Sequence, residues 1–185
     1  MFRRAPASAS TCPVRRRGGT GWRTARGRAR HRCATARTVH AEGQSWFDRQ
    51  WGPLPALTAG QASRSWSWMN LSLSNGDRIS VWNRTYDKQN NFATVLKPDG
   101  TQTLAEATLT PDTTTLWTSP TTGRSYPTRW KVTIPGEHAK LDVTVYAEDQ
   151  ELPTTGPRYE GNAAITGTYG HRPVSGSTYI EVTGR

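Results

Sequence analysis

From Arg64 onward this chain alternates apolar and polar residues with a period of two, and nowhere do ten consecutive residues show an apolar stripe at helical spacing. Arg64 to Ser74 alternates, Asn75-Gly76 supplies the residues of a tight turn, and Arg78 to Asn83 returns, which predicts a β-hairpin. Asn91 to Lys97, the turn Pro98-Asp99-Gly100 and Thr101 to Leu104 predict a second hairpin. Further strands are expected at Leu116–Thr118, Thr128–Ile134, Lys140–Ala147, Tyr159–Thr168 and Ser177–Thr183. Pro111, Pro120, Pro127, Pro135, Pro153 and Pro157 stand between these runs or at their ends, where strand breakers belong. About nine short strands predict an all-β fold, an antiparallel barrel or sandwich, and closure would remove exposed edges.

Charge divides the chain in two. Residues 1–40 hold 11 Arg with no Lys and no acidic residue, which leaves 13 basic against 14 acidic residues for 41–185. The formal charge of +10 therefore belongs to the first segment. It gives no ground for specific nucleic-acid binding by the body. Residues 1–40 contain few large apolar side chains and read as a disordered basic tail. A secretory or twin-arginine signal needs an apolar stretch after the arginines, and none follows; an organellar presequence, a non-specific nucleic-acid arm and translation from a misassigned start compete for that tail. Cys12 and Cys33 both lie in it, so residues 41–185, read as one domain, carry neither a disulfide nor a reactive thiol. No run of 18 apolar residues is present, so no membrane-spanning helix is predicted.

Aromatic residues mark the candidate site. Ser45 to Gly52 places Trp46, Phe47 and Trp51 around the pair Asp48-Arg49, and other indoles recur beside polar residues at Trp66, Trp68, Trp82 and Trp130. Rings interleaved with a few hydrogen-bonding groups suit a pocket for a largely apolar small molecule. A two-residue turn at Asn75-Gly76 would put Trp66, Trp68, Asn70, Ser72, Ile79, Val81 and Asn83 on one face, suited to a barrel lumen. It would leave Met69, Leu71, Leu73, Ser80 and Trp82 on the other. The four histidines, His31, His40, His138 and His171, show no metal-ligand spacing, and neither a nucleophile elbow nor a phosphate loop is present. Neither a cofactor nor a metal is expected.

Ordered motifs carry a family resemblance. Gly43 to Gly52 resembles the opening motif of the C-terminal domain in the AttH/CrtC-like family. Trp66-Ser67-Trp68, Leu73 to Asp77, Trp117-Thr118-Ser119-Pro120, Tyr126-Pro127, Trp130, Asp149-Gln150-Glu151-Leu152, Tyr159-Glu160-Gly161 and Tyr179 to Gly184 follow in family order. The resemblance implies a lipocalin-like barrel, a partner N-terminal lipocalin-like barrel that this chain lacks, and hydratase or cyclase chemistry on a hydrophobic metabolite. The form Asp48-Arg49-Gln50-Trp51 is similar to the kievitone-hydratase-like branch. Carotenoid hydratases carry His where Arg49 stands, and a guanidinium cannot shuttle protons near neutral pH.

Hydrating a double bond requires an acid that protonates carbon, aromatic faces that stabilise the cation, and a held water. Asp48 is the first candidate acid, with Arg49 beside it and Glu160 as a second; Asp149 and Glu151 are further alternatives. Trp46, Trp51, Trp66, Trp68, Asn70, Asn83, Trp130 and Tyr159 are the candidate substrate contacts. The expected activity is that of a hydro-lyase on a prenylated, polyene or polyketide-like molecule. A non-catalytic binding domain, a Diels-Alderase-like cyclase and an inactive fragment stand as alternatives.

Overall fold

The computed structural model describes residues 29–31, 39–41, 65–85, 89–153 and 156–183. Two compact units divide the chain, Met1–Pro55 and Ala56–Arg185. In the first, β1 (Ala29–His31) and β2 (Val39–Ala41) pair antiparallel, within the stretch whose composition gave no sign of strands.

The second unit holds the other strands: β3 (Ser65–Leu73), β4 (Arg78–Thr85), β5 (Gln89–Leu96), β6 (Gln102–Ala105) and β7 (Thr108–Pro111). There follow β8 (Leu116–Thr118), β9 (Ser125–Pro127), β10 (Arg129–Ile134), a 3-10 turn at Pro135–Glu137 and β11 (Ala139–Val145). The chain ends with β12 (Glu151–Leu152), β13 (Arg158–Tyr169) and β14 (Arg172–Thr183). Nine strands form one antiparallel path, β6-β5-β4-β3-β14-β13-β11-β10-β7, with β12 on β13, while β8 and β9 pair only with each other. The expected all-β, nine-stranded architecture is present, as a sheet curled into a half-barrel. Curling follows from the core: Val95 of β5 and Val132 of β10, far apart along the path, belong to one buried apolar cluster. At the seam, the Asn83 Nδ2 donates to the Leu109 carbonyl at 3.3 Å, tying β4 to β7.

The register of the first hairpin corrects the expected faces. Leu71 pairs with Ile79, Met69 with Val81 and Trp68 with Trp82. The connection is a three-residue loop, Ser74-Asn75-Gly76: the Leu73 N–H donates to the Asp77 carbonyl at 3.1 Å and the Gly76 N–H to the Leu73 carbonyl at 3.1 Å. Gly76 holds φ +97°, and a Cβ there would lie 2.8 Å from the Pro98 ring, so a side chain is excluded twice over. The extra loop residue shifts pairing by one and exchanges the faces of β4. Ile79, Val81 and Asn83 therefore join Met69, Leu71 and Leu73, and Ser80 and Trp82 join Trp66, Trp68 and Asn70. The interior of the curl is the aliphatic face, with Met69, Leu71, Ile79, Val81, Ile165 and Ile180 buried in it. The indoles of β3 and β4 stand on the opposite, outer face, not in a lumen. Pro98-Asp99-Gly100 repeats the device, with the Lys97 N–H donating to the Thr101 carbonyl at 2.9 Å and Gly100 at φ +91°.

Prolines stand at strand ends, as expected. Pro111 ends β7 opposite Trp130, and Pro127 ends β9 opposite Leu116. Both strands lie at sheet edges, where a missing N–H costs no ladder bond. One end of the curl is fastened by charge. The Lys97 ammonium donates to Glu137 at 2.6 Å, to the Tyr169 hydroxyl at 2.7 Å and to the buried Asp77 at 3.1 Å. These contacts bind the β3–β4 and β5–β6 turns, the 3-10 turn and the end of β13 together.

Candidate functional site

Parity on β3, β13 and β14 assembles a polar and aromatic group on the outer face. Tyr179 is the cross-strand partner of Asn70, and Glu181 that of both Trp68 and Glu160. Glu160 accepts from the Arg158 Nε and from the Tyr179 hydroxyl, both in short contacts. The same Arg158 Nε lies 3.7 Å from Glu181, and the Trp66 indole donates to Glu181 at 3.2 Å. Two carboxylates thus share one guanidinium, with a phenol on one and an indole on the other. Burial, then the bond to Glu160, then the charges of Glu160 and Glu181 push the Tyr179 phenol well above its ordinary value, so it stays protonated. The hydrogen bond to Glu160 outweighs burial and raises Arg158.

Rings extend the group across the sheet. Trp68 meets Tyr179 edge-on at 6.4 Å and Trp82 at 5.9 Å, and Trp82 stacks on Phe92 at 6.4 Å. The Trp68 indole donates to the Ser80 hydroxyl at 2.9 Å, which fixes the ring. Asn70, 5% exposed, has its side-chain oxygen buried without a hydrogen-bond partner among the described residues. A buried acceptor of this kind costs about 1–3 kcal/mol. It sits one strand from Tyr179, where a water or substrate hydroxyl would satisfy it.

The sequence-predicted residues divide between the two faces. Trp66, Trp68, Asn70 and Glu160 come together on the outer face, whereas Asn83, Trp130 and Tyr159 lie on the interior face. Asp48, Arg49, Trp46 and Trp51 lie outside the described residues. Tyr179, Glu181 and Arg158 are site residues that the sequence reading missed. The period of two running through Tyr179-Ile180-Glu181-Val182-Thr183 placed Tyr179 and Glu181 on one face, but which residues of β3 and β13 they would oppose is a matter of register.

The interior residues gather at the end away from Lys97, where the β8–β9 hairpin packs. Tyr126 and Tyr159 are fully buried with ring centroids 5.4 Å apart, and Trp117 stacks on Tyr126 at 6.3 Å. Adjacent side chains clamp the two phenols. Glu151 accepts from Ser119 at 2.5 Å, Thr122 at 2.6 Å and Tyr126 at 2.7 Å. The Gln150 amide donates to the Tyr159 hydroxyl at 3.2 Å, and that hydroxyl donates to the Ala147 carbonyl at 3.0 Å. Gly161 is required here, because a Cβ would lie 2.7 Å from the Gln150 amide. Burial raises the Glu151 carboxyl, but the three hydroxyl bonds prevail and hold it below the ordinary carboxylate range. Asp149-Gln150-Glu151-Leu152 is thus a clamp; Glu151 fastens the hairpin rather than facing a ligand. Among the described residues no group of three metal-binding side chains occurs.

Fold and site together define a lipocalin-like, all-β domain with an acid–base and aromatic group on one face of its sheet. The chain belongs to the AttH-like family, whose model matches residues 24–185, beginning inside the Arg-rich stretch. Dehydratase asqC of Emericella nidulans is 29% identical over 149 residues, which are 76% of this chain and 37% of that protein. The crystal structure of kievitone hydratase from Nectria haematococca is similar with a TM-score of 0.73 at 24% identity, covering 85% of this chain and 49% of that one. An AttH-type protein from Nitrosomonas europaea superposes with a TM-score of 0.60 at 22% identity, covering 80% and 46%. The chain spans half or less of the length of these relatives.

Proposed function

We propose that this chain forms part of a hydro-lyase that adds or removes water across a carbon–carbon double bond of a hydrophobic prenylated, polyene or polyketide-like molecule. The observation that carries the reading is Glu160 held between Arg158 and the Tyr179 hydroxyl, on the face that also presents Trp66, Trp68 and the unpartnered oxygen of Asn70. The names of two relatives, a dehydratase and a hydratase, support the same class.

The residues divide the work. In hydration, the Tyr179–Glu160 pair delivers a proton to one alkene carbon, and the indoles face the cation that forms on the other. Asn70 accepts from the water whose oxygen captures that cation, and the proton lost from the water returns to the pair. Dehydration runs the same steps backward. Asp48 and Arg49, as catalytic residues, and Trp46 and Trp51, as substrate contacts, remain proposals that lie outside the described residues.

Incubation with a prenylated phenol in oxygen-18 water tests the reading. Label entering the product, lost about 100-fold or more in Glu160→Gln and Tyr179→Phe with ligand affinity retained, supports it. No incorporation by the unmodified protein overturns it in favour of a binding domain, and an unlabelled cyclised product in favour of a cyclase.

A further inference from the structure

Trp130 is 2% exposed on the interior face, and its indole Nε1 has no hydrogen-bond partner among the described residues; the side-chain oxygen of Asn91 is buried in the same condition. Register places both at one end of the interior. Asn91 is the cross-strand partner of Asn83, whose amide reaches the Leu109 carbonyl, and Leu109 lies two residues from Pro111, the partner of Trp130. A donor and an acceptor therefore lack partners at an end of the interior where the neighbouring polar groups, Asn83, Tyr126 and Tyr159, have theirs, and native proteins rarely leave either unpaired.

The cover over this end has a construction of its own. β8 and β9 form a separate two-stranded sheet with no ladder to the main path. Glu151, the ring contacts of Trp117 and Tyr126 with Tyr159, and the bond from the Thr128 N–H to the Thr115 carbonyl at 2.9 Å hold the hairpin in place. Nothing in that set resembles the continuous backbone pairing of the barrel.

We propose that this end of the interior is a ligand site, separate from the outer face, for a small hydroxylated aromatic molecule, and that the β8–β9 hairpin latched by Glu151 is its cover. One ligand oxygen accepts from the Trp130 indole, a ligand hydroxyl donates to Asn91, and the ring packs among Trp117, Tyr126 and Tyr159. The site stands whether or not the outer face carries hydro-lyase chemistry.

Titrating the protein with resorcinol while following the Trp130 indole N–H resonance tests it. The resonance is expected to move saturably, Trp130→Phe to weaken binding about tenfold or more, and Glu151→Gln to speed association severalfold by loosening the latch. Trp68→Leu, on the other face, is expected to leave resorcinol affinity unchanged. A resonance unmoved by the probe, or binding lost in Trp68→Leu and kept in Trp130→Phe, overturns the proposal. If Trp130→Phe does not fold, hydrogen exchange of the native indole N–H decides: protection increased by resorcinol supports the site, and unaltered protection overturns it.

Discussion

The two faces of β3, β4 and β14 are one residue out of phase along the same backbone, yet they obey different rules. Met69, Leu71, Ile79, Val81 and Ile180 on the interior are apolar, each contributing about 1.5–3 kcal/mol by burial, without regard to direction. On the outer face several side chains have a directional partner: Trp68 has Ser80, Trp66 has Glu181 and Tyr179 has Glu160. Apolar burial and directional polar contacts are thus separated by parity rather than by distance, and substitutions should separate stability from the proposed outer-face binding as well.

Ile165→Ala is the severest break expected, with a loss of about 2–5 kcal/mol in denaturant unfolding and little change in outer-face ligand affinity. Trp82→Leu should do the reverse, with a smaller loss of stability and a larger loss of affinity. If both variants lose the two properties in proportion, the separation of faces is wrong. Lys97→Met, which strands buried Asp77 beside Glu137, should cost about 2 kcal/mol once the partial exposure of Lys97 is allowed for. Its measurement is the thermal midpoint at low and high salt.

Acid titration sharpens the comparison at the hairpin. The Glu151 carboxyl is depressed in the folded state, so its contribution is present above its unfolded value and lost as pH falls through the folded value. Glu151→Gln should therefore flatten the decline of stability below about pH 4. A decline as steep as that of the unmodified protein would remove Glu151 as the latch. Lys131→Ala breaks only the exposed pair with Asp142 and should change stability by less than about 0.5 kcal/mol.

Much of the fold was legible because its strands are long enough to show a period. Ser65–Leu73, Arg129–Ile134 and Ala139–Val145 alternate over six or more residues and were expected nearly where they stand. β7, β9 and β12 have four, three and two residues, too few to show any period, and two of them end at prolines expected to stand between strands or at their ends. The faces of β4 were misread for a sharper reason. Asn75-Gly76 fits either the middle of a two-residue turn or the close of a three-residue loop, since both need a positive φ at the glycine. Glu160 was legible as a candidate acid, but its partners Tyr179 and Arg158 were not, because their meeting depends on register and on long side chains.

Composition and alternation by themselves determined that residues beyond the Arg-rich stretch form an antiparallel β-domain, because a period of two is a property of the local backbone. Only the tertiary structure decided which side of that sheet is interior. That choice rests on a single added loop residue and on the curling that brings β5 and β10 into one core. Neither is a local property, so no stretch of sequence announces that the indoles of β3 and β4 face outward and the aliphatic residues inward.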